Sequence, residues 1–190
     1  MNRQIILASG SPRRIQLLRD AGLEPIIRSP RVDEPLPLYS SPKDTVMFLS
    51  LKKALAVEED SSDLPGSLLI AADTVVALGN EIIGKPADYS QAMDILMSLS
   101  GKTHSVLTGV TILLVGEHRI YSFYDKTLVS FKPYTPEDLE DYLRTDEPYD
   151  KAGAYAIQGY FGQYVESFRG SYDNVMGLPT QRVLDYINNL

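Results

Sequence analysis

Carboxylates, lysines, arginines and hydroxyls must carry any chemistry in this chain, because thiols are absent from its sequence and imidazoles are nearly so. The 190 residues include no cysteine and only two histidines, His104 and His118. Thiolate nucleophiles and Cys-based metal or redox centres are therefore excluded, and so is a His-rich zinc site. The 25 acidic residues outnumber the 18 basic ones, and the net charge of −7 argues against a general nucleic-acid binder.

The first cluster with chemical potential is the run Ser-Gly-Ser-Pro-Arg-Arg at residues 9–14. It joins a short apolar segment to a helical pattern, and Gly10 permits a close approach of the backbone to a ligand. The amides and dipole of a helix start favour an anion, and the forks of Arg13 and Arg14 match phosphate oxygens. A plain helix cap with solvated arginines is the other interpretation. The combination favours phosphate, although it is not a Walker A motif.

Lys53 lies on the apolar side of a helix predicted over residues 42–57. It shares three- and four-residue spacings with Val46, Leu49 and Val57. A lysine in such a position either extends its ammonium to solvent at the edge or points it into a cleft. The first outcome is the commoner one for a single lysine.

Asp73 interrupts an otherwise apolar strand predicted over residues 68–78. A buried carboxylate is costly unless it is paired, hydrogen-bonded or bound to a metal. A hairpin turn at Gly79-Asn80 would place Thr74 opposite Lys85, which returns Lys85 to the neighbourhood of Asp73. Since alternation sends Asp73 and Lys85 to opposite faces, a bulge or flared strand end is needed to join them. A structural ion pair is the alternative to a catalytic one.

Other polar positions have weaker patterns. Asp33 and Glu34 form a second carboxylate pair in a proline-rich loop. Gln158 lies in a run of small residues, where it could read a base edge or belong to a tightly packed segment. Neither His104 nor His118 has a serine or carboxylate arranged beside it in the sequence, which favours structural roles for both.

The elements that must position these groups alternate between strand and helix. This order predicts an α/β fold with a mixed, partly antiparallel sheet flanked by helices, in a single domain over residues 1–190. No segment resembles a signal peptide or a membrane span, so a cytoplasmic protein is expected. The strands are predicted at 4–8, 25–28, 68–78, 81–83, 106–115 and 119–131, and the helices at 12–21, 42–57, 88–99, 135–143 and from about 179.

Together these features suit metal-assisted attack of water on a phosphoanhydride. A carboxylate would hold a divalent ion or activate water, and the cations would neutralise phosphate charge. Several motifs then resemble the Maf family in order and spacing across essentially the whole chain. They are Leu7-Ala8-Ser9-Gly10-Ser11-Pro12-Arg13-Arg14, Ala72-Asp73-Thr74-Val75-Val76, Gly84-Lys85-Pro86, Ser100-Gly101 with His104, Thr108-Gly109-Val110 and Gly153-Ala154-Tyr155-Ala156-Ile157-Gln158-Gly159.

The resemblance implies a nucleoside triphosphate pyrophosphatase that splits the α–β anhydride with Mg²⁺ or Mn²⁺, a hydrolase acting on acid anhydrides. It also implies a two-lobed fold with a central nucleotide cleft, similar to the inosine triphosphate pyrophosphatases. Asp73 matches the catalytic proton acceptor, and Asp73 and Glu34 are the candidate metal ligands. The positions that match substrate binding and specificity are Ser9, Arg13, Glu34, Lys53, Thr74, Lys85 and Gln158.

The segment around Gln158 is similar to the branch of the family that acts on dTTP and UTP, with modified pyrimidine nucleotides as further candidates. A 7-methyl-GTP pyrophosphatase and a nucleotide-binding regulator of septum formation are the competing hypotheses. A sugar-phosphate phosphatase would need a covalent aspartate motif, which is absent from the sequence. The expected partner is the nucleotide substrate, without a nucleic-acid polymer or a membrane, and the resemblance is compatible with a homodimer.

Overall fold

A seven-stranded sheet organises the protein. The computed structural model describes residues 3–32, 40–117 and 119–190. Within these residues the strands follow the order β2-β1-β3-β5-β6-β7, and β4 pairs with β3 outside this path. The strands are β1 (Ile5–Ala8), β2 (Ile26–Ile27), β3 (Leu68–Leu78), β4 (Glu81–Ile83), β5 (Thr103–Leu114), β6 (Arg119–Phe131) and β7 (Val165–Arg169).

Strand directions confirm the predicted mixed sheet. β1 runs parallel to both β2 and β3, whereas β4 is antiparallel to β3 and β7 is antiparallel to β6. The parallel pairs need connections that leave the sheet, and α1 and α2 supply residues for these connections. The helices are α1 (Pro12–Asp20), α2 (Pro42–Glu59), α3 (Tyr89–Leu99), α4 (Pro136–Leu143), α5 (Tyr172–Met176) and α6 (Thr180–Asn188).

The chain divides into two compact units, whose boundary passes through β3, β5 and β6. Unit 1 comprises Met1–Asp73, Thr108–Asp125 and Gly177–Leu190, and unit 2 comprises Thr74–Leu107 and Lys126–Met176. An aliphatic core joins α2 to the sheet in unit 1, because small and β-branched side chains allow close packing of a helix on strands. Its buried members are Ile6, Ala8, Ala54, Val57, Leu69, Ala71, Leu113 and Val115.

The core of unit 2 contains a cluster of aromatic rings among its aliphatic side chains. Phe131 makes edge contacts with Tyr134, Tyr155 and Phe161, at centroid distances between 4.9 and 6.1 Å. Tilted and edge-on arrangements of this kind are favourable because the positive edge of one ring meets the negative face of another. The cluster connects β6 to the segment that follows α4, and it includes the buried side chain of His104.

Local signals predicted the β3–β4 hairpin correctly, but the inferred extension of its pairing is wrong. Gly79 has φ of 62°, which suits its place in the turn, and Leu78 pairs with Glu81 as expected. The pairing covers three residue pairs and stops at Val76 and Ile83, short of the predicted pair of Thr74 with Lys85. Beyond β4 the chain turns away, and the Gly84 carbonyl accepts a hydrogen bond from Gly153 N at 3.1 Å.

Several elements have no counterpart in the sequence-based prediction. These are β7, the short helix α5 and three 3₁₀ turns at Glu147–Asp150, Ala152–Ala154 and Tyr160–Tyr164. β5 also begins three residues earlier than predicted, so that His104 is the second residue of this strand. Across the described part of the chain, none of the helices is both long and apolar enough to cross a membrane.

Candidate functional site

The loop between β1 and α1 has the backbone form expected of an anion-binding helix start. Ser11 is the N-cap residue in an extended conformation, and Pro12 opens the helix. The Ser11 side chain makes no capping bond. Instead, Ser11 N donates to Oγ of the buried Ser9 at 3.2 Å. This bond fixes the loop before the helix and leaves the first amides of α1 without a side-chain cap.

The two arginines of this loop have different surroundings. Arg14 Nε donates to the Gly177 carbonyl at 2.8 Å, and Arg14 Nη1 donates to Ser9 Oγ at 3.2 Å. The expectation that both arginines are mobile phosphate forks is thus wrong for Arg14, which holds two parts of unit 1 together. Arg13 is half-buried, and its guanidinium and backbone amide make no hydrogen bond to another described residue. Arg13 therefore retains donors for a ligand.

A buried ion pair joins α2 to β3. Lys53 Nζ donates to Asp73 Oδ1 at 2.6 Å, and about a tenth of each side chain is exposed. The ammonium of Lys53 thus points inward rather than to solvent, and it supplies the opposite charge that a buried carboxylate requires. Oδ2 of Asp73 accepts no hydrogen bond from the described residues, so it can accept one from water or bind a cation.

Parallel pairing explains why these groups lie at one end of unit 1. Ala8 at the end of β1 pairs with Ala71 of β3, so the chain enters its loop at Ser9 close to the level of Asp73. Ala54 of α2 packs into the same core, which brings the adjacent Lys53 to the strand. In open α/β sheets, ligands bind beyond the carboxyl ends of parallel strands. This end of unit 1 therefore combines a helix-start loop that carries Arg13 with a buried carboxylate.

Comparison with known proteins shows the family to which the whole chain is similar. A sequence model described as Maf, Maf-like protein, matches residues 4–190. The chain belongs to the Maf family. A relative from Bacillus cereus is 44% identical over 182 residues, with 96% of this chain and 93% of the relative covered. A relative from Bacillus anthracis has the same identity and coverage, and both are named dTTP/UTP pyrophosphatase.

A solved structure gives a weaker likeness to this Maf protein. It is titled a nucleoside-triphosphatase / dITP/XTP pyrophosphatase from Mycobacterium abscessus, with 15% identity and a TM-score of 0.40. The match covers 67% of this chain and 74% of the other. A likeness of this extent carries no conclusion about fold or function.

The remaining candidate residues of the Maf protein are distributed differently from those of unit 1. Thr74 is half-buried, and Lys85 and Gln158 are exposed; all three belong to unit 2. Lys85 makes no ion pair with the described residues, whereas the carboxylate of Asp73 is paired with Lys53. Glu34 lies outside the described residues, as does His118.

No ready-made metal cage is present in residues 3–32, 40–117 and 119–190, which contain no group of three or more side chains of His, Asp or Glu that could hold an ion. Asp73 offers one carboxylate oxygen at the end of unit 1 where strand β1 leads into the cationic loop. Mg²⁺ is commonly held by one or two carboxylates together with substrate phosphates, rather than by a complete protein cage. The donor set therefore fits an ion that enters with a phosphate ligand.

The hydrogen bonds of Arg14 to the Gly177 carbonyl and to Ser9 Oγ were not predicted from the sequence. The acceptor at Gly177 lies 163 residues away along the chain, so local spacing carries no signal for it. His104, in contrast, fulfils the expectation of a structural residue. Burial lowers its pKa to about 4, and its Nε2 is hydrogen-bonded to the Tyr155 hydroxyl at 2.7 Å.

Proposed function

We propose that this Maf protein hydrolyses dTTP and UTP to the nucleoside monophosphate and pyrophosphate. The observation that carries the proposal is the 44% identity to relatives named dTTP/UTP pyrophosphatase, over 96% of the chain. The buried carboxylate and the cationic loop of unit 1 support it, because a water-activating base and phosphate-binding donors are what this reaction requires.

In the proposed reaction Asp73 is the general base. Its Oδ2 accepts the proton of a water molecule, whose oxygen attacks the α-phosphorus, and the α–β anhydride bond breaks to release pyrophosphate. Lys53 holds Oδ1 at 2.6 Å, so only the second oxygen is left to meet water. The same contact restricts rotation of the carboxylate, and a fixed base lowers the entropic cost of reaching the transition state.

Arg13 is the proposed phosphate-binding cation of the loop. Its guanidinium makes no bond to other described residues, and it extends from the first turn of α1, where the helix dipole favours negative charge. Arg13 can therefore bind phosphate oxygens in a bidentate manner and stabilise the charge that develops on the leaving pyrophosphate.

A divalent cation is the proposed cofactor, with Mg²⁺ or Mn²⁺ as the candidates. Asp73 is the described residue that would hold it, since Oδ2 has two lone pairs and proton acceptance from water is compatible with a cation on the same carboxylate. Glu34 is the second candidate ligand from the resemblance. When bound with the triphosphate, such a cation would neutralise phosphate charge and polarise the phosphorus centre. The single carboxylate of Asp73 is consistent with binding that depends on the nucleotide.

The candidates in unit 2 are proposed to select the substrate. Lys85 is an exposed cation suited to a phosphate oxygen, and the exposed amide of Gln158 carries both a donor and an acceptor for the edge of a pyrimidine. Thr74 follows Asp73 directly and is proposed to contribute to the same selection. These assignments rest on the motif positions and on the side-chain chemistry.

The deciding experiment measures product formation by the purified chain over a nucleotide panel with Mg²⁺ or Mn²⁺. We expect dTTP and UTP to be consumed faster than dATP, dGTP, dCTP and 7-methyl-GTP, with one pyrophosphate released per nucleotide. Release of orthophosphate alone, or preference for 7-methyl-GTP, would contradict the proposal. Omission of the divalent cation should remove turnover, and its addition should restore it.

The cytoplasmic location, the single-domain organisation and the homodimer remain predictions. Light scattering on the purified chain measures the subunit number directly. The alternative role in septum formation is separable from catalysis, because an inactive Asp73 variant would still act in cell division if nucleotide binding alone sufficed.

A further inference from the structure

The hydroxyl oxygen of Ser9, in the loop of the proposed site, is already occupied as an acceptor. Ser11 N and Arg14 Nη1 both donate to Ser9 Oγ, each at 3.2 Å. A serine hydroxyl has two acceptor lone pairs and one O–H donor. The two contacts therefore use both lone pairs and leave the O–H bond as the remaining hydrogen-bonding capacity of the side chain.

The Ser9 O–H bond has no acceptor in the described part of the chain. Every hydrogen bond that Ser9 Oγ makes to a described residue is one it accepts, although the residue is only 6% exposed. A nearly buried hydroxyl that makes no donation leaves part of its hydrogen-bonding capacity unused. An anionic oxygen at the loop would complete the set, since Ser9 directly precedes the proposed phosphate-binding turn.

We propose that Arg14 is a positioning residue that orients Ser9 as a hydrogen-bond donor to a phosphate oxygen of the substrate. This inference rests on the proposed phosphate chemistry of the loop. The positive charge of Arg14 on Ser9 Oγ also strengthens the hydroxyl as a donor, because hydrogen bonds in a chain polarise one another. Arg14 thus acts through Ser9, while Arg13 acts on the phosphate directly.

The Gly177 carbonyl explains why an arginine is needed here. Arg14 Nε donates to this carbonyl at 2.8 Å, which fixes the plane of the guanidinium before Nη1 reaches Ser9. A planar fork can satisfy two acceptors at set angles, whereas the ammonium of a lysine is a compact charge on a flexible stem. The hydrogen bond to the Gly177 carbonyl therefore fixes the orientation of the Arg14 guanidinium relative to Ser9.

The test is a double-mutant cycle on the binding of inorganic pyrophosphate with Mg²⁺, measured by calorimetry. We expect Arg14→Gln and Ser9→Ala each to raise the Kd about tenfold, because hydrogen bonds to charged groups are worth roughly 1.5–3 kcal/mol. In the Ser9→Ala background, Arg14→Gln should change the Kd by less than about twofold, since coupled residues are not additive. For dTTP hydrolysis, the KM should rise while kcat changes little.

Two further variants make the result decisive. Arg19→Gln removes an exposed arginine of the same helix that pairs with Glu24, and it should leave pyrophosphate binding unchanged. Arg14→Lys retains the charge without the fork and should weaken binding to an intermediate extent. Thermal unfolding of each variant identifies a loss that comes from misfolding rather than from the loop.

Equal effects of Arg14→Gln in both backgrounds would overturn the inference, as would wild-type affinity in Arg14→Gln or Arg14→Lys. Absence of pyrophosphate binding by the wild type would overturn it as well. A chain that shows the expected coupling but hydrolyses neither dTTP nor UTP would contradict the proposed substrate and leave the role of Arg14 intact.

Discussion

Each of the two units buries a pair of polar side chains joined by a short hydrogen bond. The two pairs differ in the charge that they carry and in the atom that is left without a hydrogen-bond partner. In unit 1, Lys53 and Asp73 are 2.6 Å apart, and Asp73 keeps one oxygen that no described residue occupies. In unit 2, His104 and Tyr155 are 2.7 Å apart, and His104 Nδ1 is buried without a partner among the described residues. The first pair carries charge, whereas the second is neutral.

The surroundings explain the difference. His104 lies against the rings of Phe131 and Tyr155, at centroid distances of 4.8 and 5.4 Å, and burial among them disfavours its charged form. Burial also raises the pKa of the Tyr155 hydroxyl. Asp73 instead has the ammonium of Lys53 beside it, at 2.6 Å from Oδ1. Burial of a polar group alone is therefore a poor guide to catalysis. The charge of the group and its unused hydrogen-bonding capacity decide whether it can act on a substrate.

The largest expected effect is the loss of turnover in Asp73→Asn. The amide cannot accept a proton from water, so kcat for dTTP should fall by about 10³-fold, within the range for general-base removal. The measurement is steady-state release of pyrophosphate. Asp63→Asn, which alters an exposed carboxylate paired with Arg28, should retain activity, and so should His104→Gln. Near-normal turnover in Asp73→Asn would contradict the proposal that Asp73 is the general base, and the Lys53–Asp73 pair would then be structural like His104–Tyr155.

The next effect is on stability, in Lys53→Met. This change leaves the buried Asp73 carboxylate without its cation, and removal of one partner from a buried pair costs about 3 kcal/mol. Urea denaturation measures the free energy of unfolding. The double variant Lys53→Met/Asp73→Leu should recover most of the loss, because it leaves no unpaired charge. Arg28→Met removes the cation of the more exposed Arg28–Asp63 pair and should lower the free energy of unfolding by less. Equal losses of stability in Lys53→Met and Arg28→Met would contradict the distinction between a buried and an exposed ion pair.

The third effect is a pH dependence that belongs to unit 2. Burial lowers the pKa of His104 from 6.5 to about 4, so the unfolded chain binds the proton more readily than the folded one. The stability from neutral His104 is therefore present above pH 6.5 and is lost as the pH falls towards 4. Between pH 7.5 and 5 this loss amounts to about 2 kcal/mol.

His104→Gln supplies the comparison, because glutamine does not titrate in this range. Urea midpoints for the wild type and the variant, measured at both pH values, isolate the histidine contribution from that of the carboxylates. The wild type should lose more stability on acidification than the variant. A parallel loss in the two proteins would show that His104 is not the group that titrates.

The smallest expected effect is that of Tyr155→Phe. It removes the hydroxyl bonded to His104 Nε2 and keeps the ring in the aromatic cluster, so the cost should be about 1 kcal/mol in the free energy of unfolding. Tyr89→Phe, at an exposed ring, should have no measurable effect. Turnover of dTTP should be unchanged in both variants, which would separate the structural pair of unit 2 from the pair of unit 1 that contains the proposed catalytic base.

Much of the local structure followed from the sequence. The pattern of apolar residues predicted the bounds of β3 and β4, and the start of α2 at Pro42, because side-chain periodicity and turn residues act over a few positions. β7 escaped prediction since its residues are mostly exposed and lack the apolar alternation of a half-buried strand.

The candidate site was predictable in its residue types but not in its contacts. Asp73 was identified because a carboxylate within an apolar strand must be compensated, and this argument holds without knowledge of the partner. The partner inferred from hairpin register was Lys85, whereas the structure pairs Asp73 with Lys53. Thr74 and Lys85 do not pair, because the β3–β4 pairing ends after three residue pairs from the turn.

The sequence by itself determined which groups are available for chemistry: it has no thiol, and it contains a cationic loop, a carboxylate in an apolar strand and a lysine on an apolar helix side. These follow from residue type and short-range periodicity. Only the tertiary structure decided that Lys53 meets Asp73, and that Arg14 is bound by Gly177 and Ser9 while Arg13 retains its donors. Contacts between distant segments depend on strand pairing and core packing, which local sequence patterns do not encode.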